Sequence, residues 1–152
     1  MEKYYYSYEE FIKDTAELIN LSKDFNADVL LGAARGGLTL SHFMGEALDT
    51  RNVYSLNSIH YDGTKKLDTF DIFNIPDLSK ASRVLILDDI VDSGETMVEI
   101  LKLLKEHFPH VEFKLATIFY KKTALLQPDY AVKEATQWIE FFWEEDIKAL
   151  NK

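Results

Sequence analysis

Acids and small phosphate-binding residues are crowded into one short stretch of this chain. Its members are Asp88, Asp89, Asp92, Ser93, Gly94, Glu95 and Thr96. Backbone amides next to a glycine, together with hydroxyl groups, suit a phosphate. The carboxylates would repel a bare phosphate, so the ligand must also carry hydroxyls that donate to them, or bind with a divalent metal. A sugar phosphate bound with Mg²⁺ meets both demands.

The sequence around this stretch predicts a strand, a turn and a helix. The apolar run from Val84 to Leu87 is typical of a strand buried on both faces of a parallel sheet. Apolar residues recur at helical spacing from Glu95 to His107. The acidic turn between them therefore lies at the carboxyl end of a strand, where open α/β sheets bind ligands. Asp88 and Asp89, as neighbours, should point to opposite sides of the strand.

A second strand-turn-helix junction comes earlier in the chain. A buried strand is predicted from Ala27 to Leu31, then a turn from Gly32 to Gly37, then a helix from Leu38 to Leu48. Small residues let backbone amides approach a polyanion, and Arg35 supplies a forked donor for phosphate oxygens. Together the two junctions suggest a ligand with two phosphate centres.

The remaining elements predict the fold class α/β, with a parallel sheet of about five strands flanked by helices in a single domain over residues 1–152. Ser7 and Glu10 form a capping box that should start the first helix. The other predicted segments are a helix from Tyr8 to Phe25, strands at Val53 to Ser58 and Val111 to Tyr120, an irregular binding loop from His60 to Ala81, a connection from Asp129 to Gln137, an aromatic segment from Trp138 to Glu144 and a terminal helix from Glu145 to Lys152.

Composition limits the function classes. The chain has 152 residues, a net charge of -9 and no cysteine. The acidic balance argues against nucleic acid or an anionic membrane as the main partner, and thiol catalysis is excluded. No apolar run approaches the roughly 20 residues of a membrane span, and the N-terminus lacks the apolar core of a signal peptide. A cytoplasmic enzyme is the expectation.

The stretch from Val84 to Met97 resembles the phosphoribosyl-diphosphate binding motif of the type I phosphoribosyltransferases, in which an apolar run, two acids, two aliphatics and a small-residue phosphate loop follow in order. The resemblance implies that Asp88 and Asp89 face the ribose hydroxyls and bind Mg²⁺. It implies that Asp92 is the acid/base residue near the purine. Ser93, Gly94, Glu95 and Thr96 would hold the 5-phosphate.

Two further regions carry the resemblance. Arg35 with its two glycines matches the pyrophosphate loop, so Ala34, Arg35 and Gly36 would bind the diphosphate, with a cis peptide between Ala34 and Arg35. The segment around Trp138 and Ile139 is similar to the hood of the bacterial xanthine-guanine enzymes, where the Trp stacks on the base. Lys121 would donate to the purine O6, with Lys122 as the alternative.

The activity implied is transfer of a phosphoribosyl group from 5-phosphoribosyl 1-diphosphate to N9 of a 6-oxopurine, in purine salvage. The implied partners are small molecules, and the implied assembly is a homo-oligomer, either a dimer or a tetramer. Family members have a mobile loop that closes over the site, which His60 to Ala81 would supply. Two alternatives remain, a non-catalytic sensor of the diphosphate with the same fold and a phosphoribosyltransferase for another base.

Overall fold

The computed structural model describes residues 2–61 and 69–151. Two sheets and four α-helices are found within these ranges. The elements in chain order are β1 (Lys3–Tyr6), α1 (Tyr8–Ser22), a 3-10 turn (Lys23–Phe25), β2 (Val29–Ala34), α2 (Leu38–Ala47), β3 (Val53–Tyr61), β4 (Thr69–Phe73), β5 (Arg83–Val91), α3 (Glu95–His107), β6 (Glu112–Tyr120), β7 (Tyr130–Glu134), β8 (Trp138–Phe141) and α4 (Phe142–Ala149).

Six of the described strands form the main sheet, in the order β4-β3-β2-β5-β6-β7. The five strands from β3 to β7 in this order run parallel, and β4 pairs antiparallel with β3 at the edge. The predicted α/β class and the parallel sheet of about five strands are therefore confirmed. The central strands carry continuous apolar runs, from Val29 to Leu31 in β2 and from Val84 to Leu87 in β5, because both of their faces are covered.

The two faces of the sheet bury separate apolar clusters. One cluster joins Ile86 of β5 to Ile100 and Leu104 of α3. The other joins Leu87 of β5 to residues of α1 and α2, among them Phe11, and to the C-terminal aromatics. Because successive strand residues point to opposite faces, β5 contributes to both clusters. This arrangement fixes the carboxyl ends of β2, β5 and β6 side by side.

The first helix begins as its capping box predicts. Glu10 N–H donates to Ser7 Oγ over 3.2 Å, and Ser7 N–H donates to Glu10 Oε2 over 3.0 Å. The α-helix ends at Ser22, and the 3-10 turn that follows closes at Asn26, whose φ is 55°. The helix is thus slightly shorter than the predicted Tyr8 to Phe25.

Strand β5 is longer than the sequence predicted. It continues to Val91, so Asp88 and Asp89 lie inside the strand and the turn is confined to residues 92–94. The extension follows from pairing with β6, since Ile90 lies opposite Phe119. The two acids are therefore held by a regular strand rather than by a turn.

Two segments predicted to be irregular contain strands. β4 lies within the span from His60 to Ala81, and β7 lies within the connection from Asp129 to Gln137. Both are five-residue edge strands of the main sheet whose side chains are only partly covered, which weakens the apolar signal that a buried strand gives. Gly63 and the charged run at residues 65–68 lie outside the described residues, and so does the loop closure predicted there.

A small second sheet forms the predicted hood. β1 pairs parallel with β8, with Tyr4 opposite Ile139 and Tyr6 opposite Phe141. Tyr6 Oη donates to Asp14 Oδ2 of α1 over 2.6 Å, and Lys133 Nζ of β7 lies 3.0 Å from the same oxygen. The hood is thereby attached to both α1 and the main sheet. The helix α4 follows β8 directly and begins at Phe142, earlier than the predicted Glu145.

None of the helices in residues 2–61 and 69–151 combines the length and the apolar character that crossing a bilayer requires.

Candidate active site

Three turns meet at the carboxyl edge of the main sheet. They follow β2, β5 and β6, which are neighbours in the sheet and run in the same direction. Residues 35–37 form the first turn and residues 92–94 form the second. The third begins at Lys121. The structure thus brings together the phosphate-binding residues, the acids and the lysines that the sequence analysis selected.

The first turn passes very close to β5. The peptide bond between Ala34 and Arg35 is cis, and Gly37 N–H donates to Ala33 O over 2.8 Å. A Cβ atom on Gly37 would lie 2.2 Å from Leu87 O, so only glycine fits this position. Arg35 itself is exposed and makes no ion pair with the described residues. Its guanidinium is thus available to an anionic ligand.

The first turn also touches the acid pair. A Cβ atom on Gly36 would lie 2.6 Å from Asp89 Oδ2. The backbone that the sequence assigns to diphosphate and the carboxylate that it assigns to ribose or metal are therefore in direct contact. Such an arrangement can hold a diphosphate, a metal and a sugar within one small volume.

Asp89 is buried and Asp88 is half-buried. Burial raises the pKa of Asp89 to about 6, and the charge of Glu144 contributes in the same direction. Burial, followed by the charge of Asp89, raises the pKa of Asp88 well above its ordinary value. Asp89 N–H donates to Asp88 Oδ1 over 2.8 Å, which stabilises that carboxylate in part. The pair is therefore electrostatically costly in the protein without a cation.

We expect Asp89→Asn to stabilise the protein at pH 7. The pKa of Asp89 rises from 3.8 to about 6 on folding, so its contribution to stability falls as pH increases through that window. Removing the charge should raise the free energy of unfolding by about 2–3 kcal/mol at pH 7, from ~1.4 kcal/mol per pKa unit. Urea unfolding in EDTA at pH 7 and pH 4 measures the difference.

The increase in the free energy of unfolding caused by Asp89→Asn should nearly vanish at pH 4, because the wild-type carboxyl is protonated in the folded state at that pH. Ser93→Ala, in the neighbouring exposed turn, serves as the control and should show no comparable pH dependence. A less stable Asp89→Asn variant at pH 7, or a gain of equal size at both pH values, would contradict the electrostatic account.

The acid pair also fits a divalent cation. Mg²⁺ in phosphate-transfer sites is usually held by one or two carboxylates together with substrate phosphates, rather than by a cage made only of protein ligands. Within residues 2–61 and 69–151, no group of three or more His, Asp or Glu side chains is placed to hold a metal ion. Asp88 and Asp89 lie beside a turn that can bind phosphate. They therefore match the arrangement in which substrate phosphates supply the remaining ligands of the metal.

The second turn begins α3 and is supported from the third. Gly94 has a φ of 84°, and Glu95 N–H donates to Ser93 Oγ over 3.2 Å. Leu125 N–H donates to Ser93 O over 2.8 Å. The first backbone N–H groups of a helix lack partners within the helix, so the start of α3, including Thr96, can donate to a phosphate.

The two candidate lysines point to different partners. Lys121 Nζ lies 2.7 Å from Asp92 Oδ1. Lys122 Nζ lies 3.7 Å from Glu134 Oε1, on the neighbouring strand β7. The structure therefore brings Lys121, and not Lys122, to the acid that the sequence analysis selected for proton transfer. The charges of Lys121 and Asp92 thus neutralise each other.

The hood packs against the apolar cluster on one face of the main sheet. The side chain of Trp138 is exposed, with a residue exposure of 56%, and its backbone N–H donates to Glu2 O over 3.0 Å. Ile139 packs against the same apolar cluster as Ile90 of β5. An exposed indole next to an apolar surface is suited to stacking on a planar ligand.

Three site residues were missed by the sequence analysis. Glu144 at the start of α4 raises the pKa of Asp89, and Trp143 and Glu144 line a cleft with Arg35 and Gly36. His60 stacks on Phe70 with ring centroids 4.2 Å apart, and its Nε2 atom lies 4.0 Å from Glu95 Oε2. Apart from the stacking of His60 on Phe70 across the paired strands β3 and β4, these contacts join elements that are distant in the sequence, so no local pattern reveals them.

A family model described as the phosphoribosyl transferase domain matches residues 5–149 of this chain. The chain belongs to the phosphoribosyltransferase family. Membership confirms the resemblance stated from the sequence.

Solved structures and curated relatives show which members of the family this chain is similar to. A Helicobacter pylori xanthine-guanine-hypoxanthine phosphoribosyltransferase is 38% identical, with a TM-score of 0.91 and 99% of each chain covered. A purine phosphoribosyltransferase from Pyrococcus horikoshii is 28% identical, with a TM-score of 0.83 and 95% of each chain covered. A xanthine-guanine phosphoribosyltransferase from a Ruegeria species is 30% identical over 76% of this phosphoribosyltransferase and 67% of its own length.

Proposed function

We propose that this chain transfers the phosphoribosyl group of 5-phosphoribosyl 1-diphosphate to N9 of guanine, xanthine or hypoxanthine, releasing pyrophosphate. The contact between Gly36 and Asp89 is the observation that carries this proposal, because it joins a diphosphate-binding backbone to a sugar- or metal-binding acid. The similarity to enzymes whose names specify xanthine, guanine and hypoxanthine supports the choice of base.

In this reaction a bond forms between N9 and C1′ while the bond from C1′ to the pyrophosphate oxygen breaks. The electron pair of the broken bond leaves with pyrophosphate, and the proton of the purine ring passes to Asp92. Positive charge grows on the ribose in the transition state, and the carboxylates of Asp88 and Asp89 stabilise it. Arg35 and the backbone of the first turn hold the leaving group.

Asp88 and Asp89 would hold Mg²⁺ together with the oxygens of the diphosphate. When bound, the metal supplies positive charge to the leaving pyrophosphate. Asp88 and Asp89 then keep the diphosphate donor in place, and the turn from Ser93 to Thr96 keeps its 5-phosphate in place.

Lys121 is the proposed selector of the base. Its ammonium group can only donate, so it favours an oxo group at position 6 over an amino group. Binding of the purine would separate Lys121 from Asp92, which frees the carboxylate to accept the ring proton. Trp138 would stack on the base, and the backbone at Trp138 and Ile139 would meet its other edge.

A pyrophosphate-release assay with magnesium, the diphosphate donor and one base at a time tests the function. Turnover is expected with at least one of guanine, xanthine and hypoxanthine, and not with adenine or orotate. Turnover with adenine or orotate alone would show that the acceptor is not a 6-oxopurine. Binding of the donor without turnover of any base would favour a sensor of the same fold.

Lys121→Ala should lower kcat/KM for 6-oxopurines about tenfold or more, since a donor lost from a buried polar contact costs ~1–3 kcal/mol. Lys122→Ala is the matched control and should change kcat/KM less than threefold, because its side chain is directed to Glu134. Steady-state kinetics with saturating donor measures both. The reverse order of the two effects would move base selection to Lys122.

We also propose that the chain forms a homo-oligomer, either a dimer or a tetramer. One face of the β3–β4 pair exposes three large apolar side chains, Ile59, Tyr61 and Phe73. Exposed apolar residues on one surface often mark a contact with another protein, and a second copy of this chain would cover them. Analytical ultracentrifugation at micromolar concentration tests this proposal, and Phe73→Glu should shift the distribution toward monomer. A wild-type protein that sediments only as a monomer would exclude it.

A further inference from the structure

A cleft of about 460 Å³ lies between the first turn and α4. This size falls within the range of about 300–1,000 Å³ typical of small-molecule sites. Its lining residues are Arg35, Gly36, Leu38, Thr39, Trp143, Glu144, Ile147 and Lys148. Because Arg35 and Gly36 belong to the turn that binds the diphosphate in the proposed reaction, the cleft opens at the leaving-group end of the site.

One face of α4 forms the second wall. Glu144, Ile147 and Lys148 are spaced three and four residues apart, so they lie on the same side of the helix. The other side is anchored, because Asp146 Oδ1 accepts from Tyr5 Oη over 2.8 Å. Trp143 stacks on Phe141 at 4.7 Å and fixes the start of the helix. Lys148 is therefore carried by a fixed helix that faces the turn.

The balance of charge around the cleft favours an anion held by Lys148. Arg35 and Lys148 are the two cations among its lining residues, within the part of the chain that the structure describes. Lys148 makes no ion pair with the described residues, whereas Lys121 is paired with Asp92. Pyrophosphate carries more negative charge than Arg35 alone can neutralise, and the carboxylates nearby increase the need for a second cation.

We propose that Lys148 is a second cationic ligand of pyrophosphate, opposite Arg35. The inference rests on the proposed function. Arg35 presents a rigid fork, and Lys148 presents a compact charge on a flexible stem that can follow the group as it leaves. Since α4 continues directly from β8, this contact links the leaving group to the hood strand that carries Trp138.

Titration calorimetry of magnesium pyrophosphate into the whole protein tests the proposal. Lys148→Gln should weaken binding about tenfold, equivalent to about 1.4 kcal/mol. Lys148→Arg should stay within about threefold of wild type, because the charge is kept. Lys105→Gln is the matched control, since Lys105 is also an exposed lysine in the last turn of a helix, and it should leave binding unchanged.

Guanosine 5′-monophosphate, which lacks the pyrophosphate group, separates a local contact from a general effect of charge. Its affinity should change less than twofold in Lys148→Gln. Equal weakening of both ligands, or equal affinities in Lys148→Gln and Lys105→Gln, would overturn the role of Lys148. If wild-type protein binds magnesium pyrophosphate but turns over no base, the proposed function fails while the test of Lys148 remains valid.

Discussion

Asp92→Asn should lower kcat for every accepted base by about 100- to 10,000-fold, the range typical of a lost general acid or base. The amide cannot take the ring proton, and it also removes the carboxylate that lies 2.7 Å from Lys121 Nζ. Affinity for the diphosphate donor should change less than threefold, because Asp92 is not one of the residues assigned to the diphosphate, the metal or the 5-phosphate. Single-turnover kinetics and calorimetry measure the two quantities separately.

Glu134→Gln provides the matched control for this substitution. It removes the carboxylate partner of Lys122, the lysine next to Lys121, and leaves Asp92, the proposed general base, unchanged. We expect kcat to stay within threefold of wild type. An Asp92→Asn variant that also stays within threefold would remove Asp92 from proton transfer, whatever its effect on Lys121.

Gly37→Ala should abolish measurable donor binding and lower stability. The added methyl would lie 2.2 Å from Leu87 O and 2.9 Å from Ala33 N, which are backbone atoms that cannot rotate away. Overpacking of this kind typically costs about 1–3 kcal/mol. A displacement of about 1 Å in the turn is enough to reduce function about 100-fold. Thermal unfolding and calorimetry with the diphosphate donor measure the two effects.

Gly45→Ala is the control for Gly37→Ala. Its added methyl would meet the Val53 Cγ2 atom at 2.6 Å and otherwise nothing closer than Thr50 O at 3.6 Å, so a side-chain adjustment can relieve it. Because Gly45 lies within α2, alanine also favours the helix. We expect donor binding to be retained. If Gly37→Ala binds the donor as well as Gly45→Ala does, the close approach to β5 is not needed for function.

The predictions from sequence were strongest where local patterns and buried strands coincide. The run from Val84 to Leu87 and the buried stretch that ends at Leu31 predicted both strand-turn-helix junctions, because a strand buried on both faces has few polar positions. Each strand nevertheless runs further than predicted, β2 to Ala34 and β5 to Val91. The capping box at Ser7 was likewise sufficient to place the start of α1. These features depend on neighbours in the chain, which the sequence displays directly.

The features that were missed depend on neighbours in space. The charge of Glu144, which raises the pKa of Asp89, and the close approach of Gly36 to the same carboxylate involve elements far apart in the sequence, and no periodicity encodes them. β4 and β7 were missed because edge strands are only partly covered and lack a continuous apolar run. Lys121 and Lys122 could not be separated by sequence, since only the direction of each side chain distinguishes them.

The pairing of β1 with β8 also has a consequence for the order of folding. The turns proposed to bind the donor follow strands in the central part of the chain, whereas the hood proposed to cover the base needs residues 3–6 to meet residues 138–141. Closing so long a loop is slow and entropically costly, so contacts of this kind usually form late. A partly folded chain would assemble the donor half first, and the acceptor half would be completed only when its two most distant strands meet.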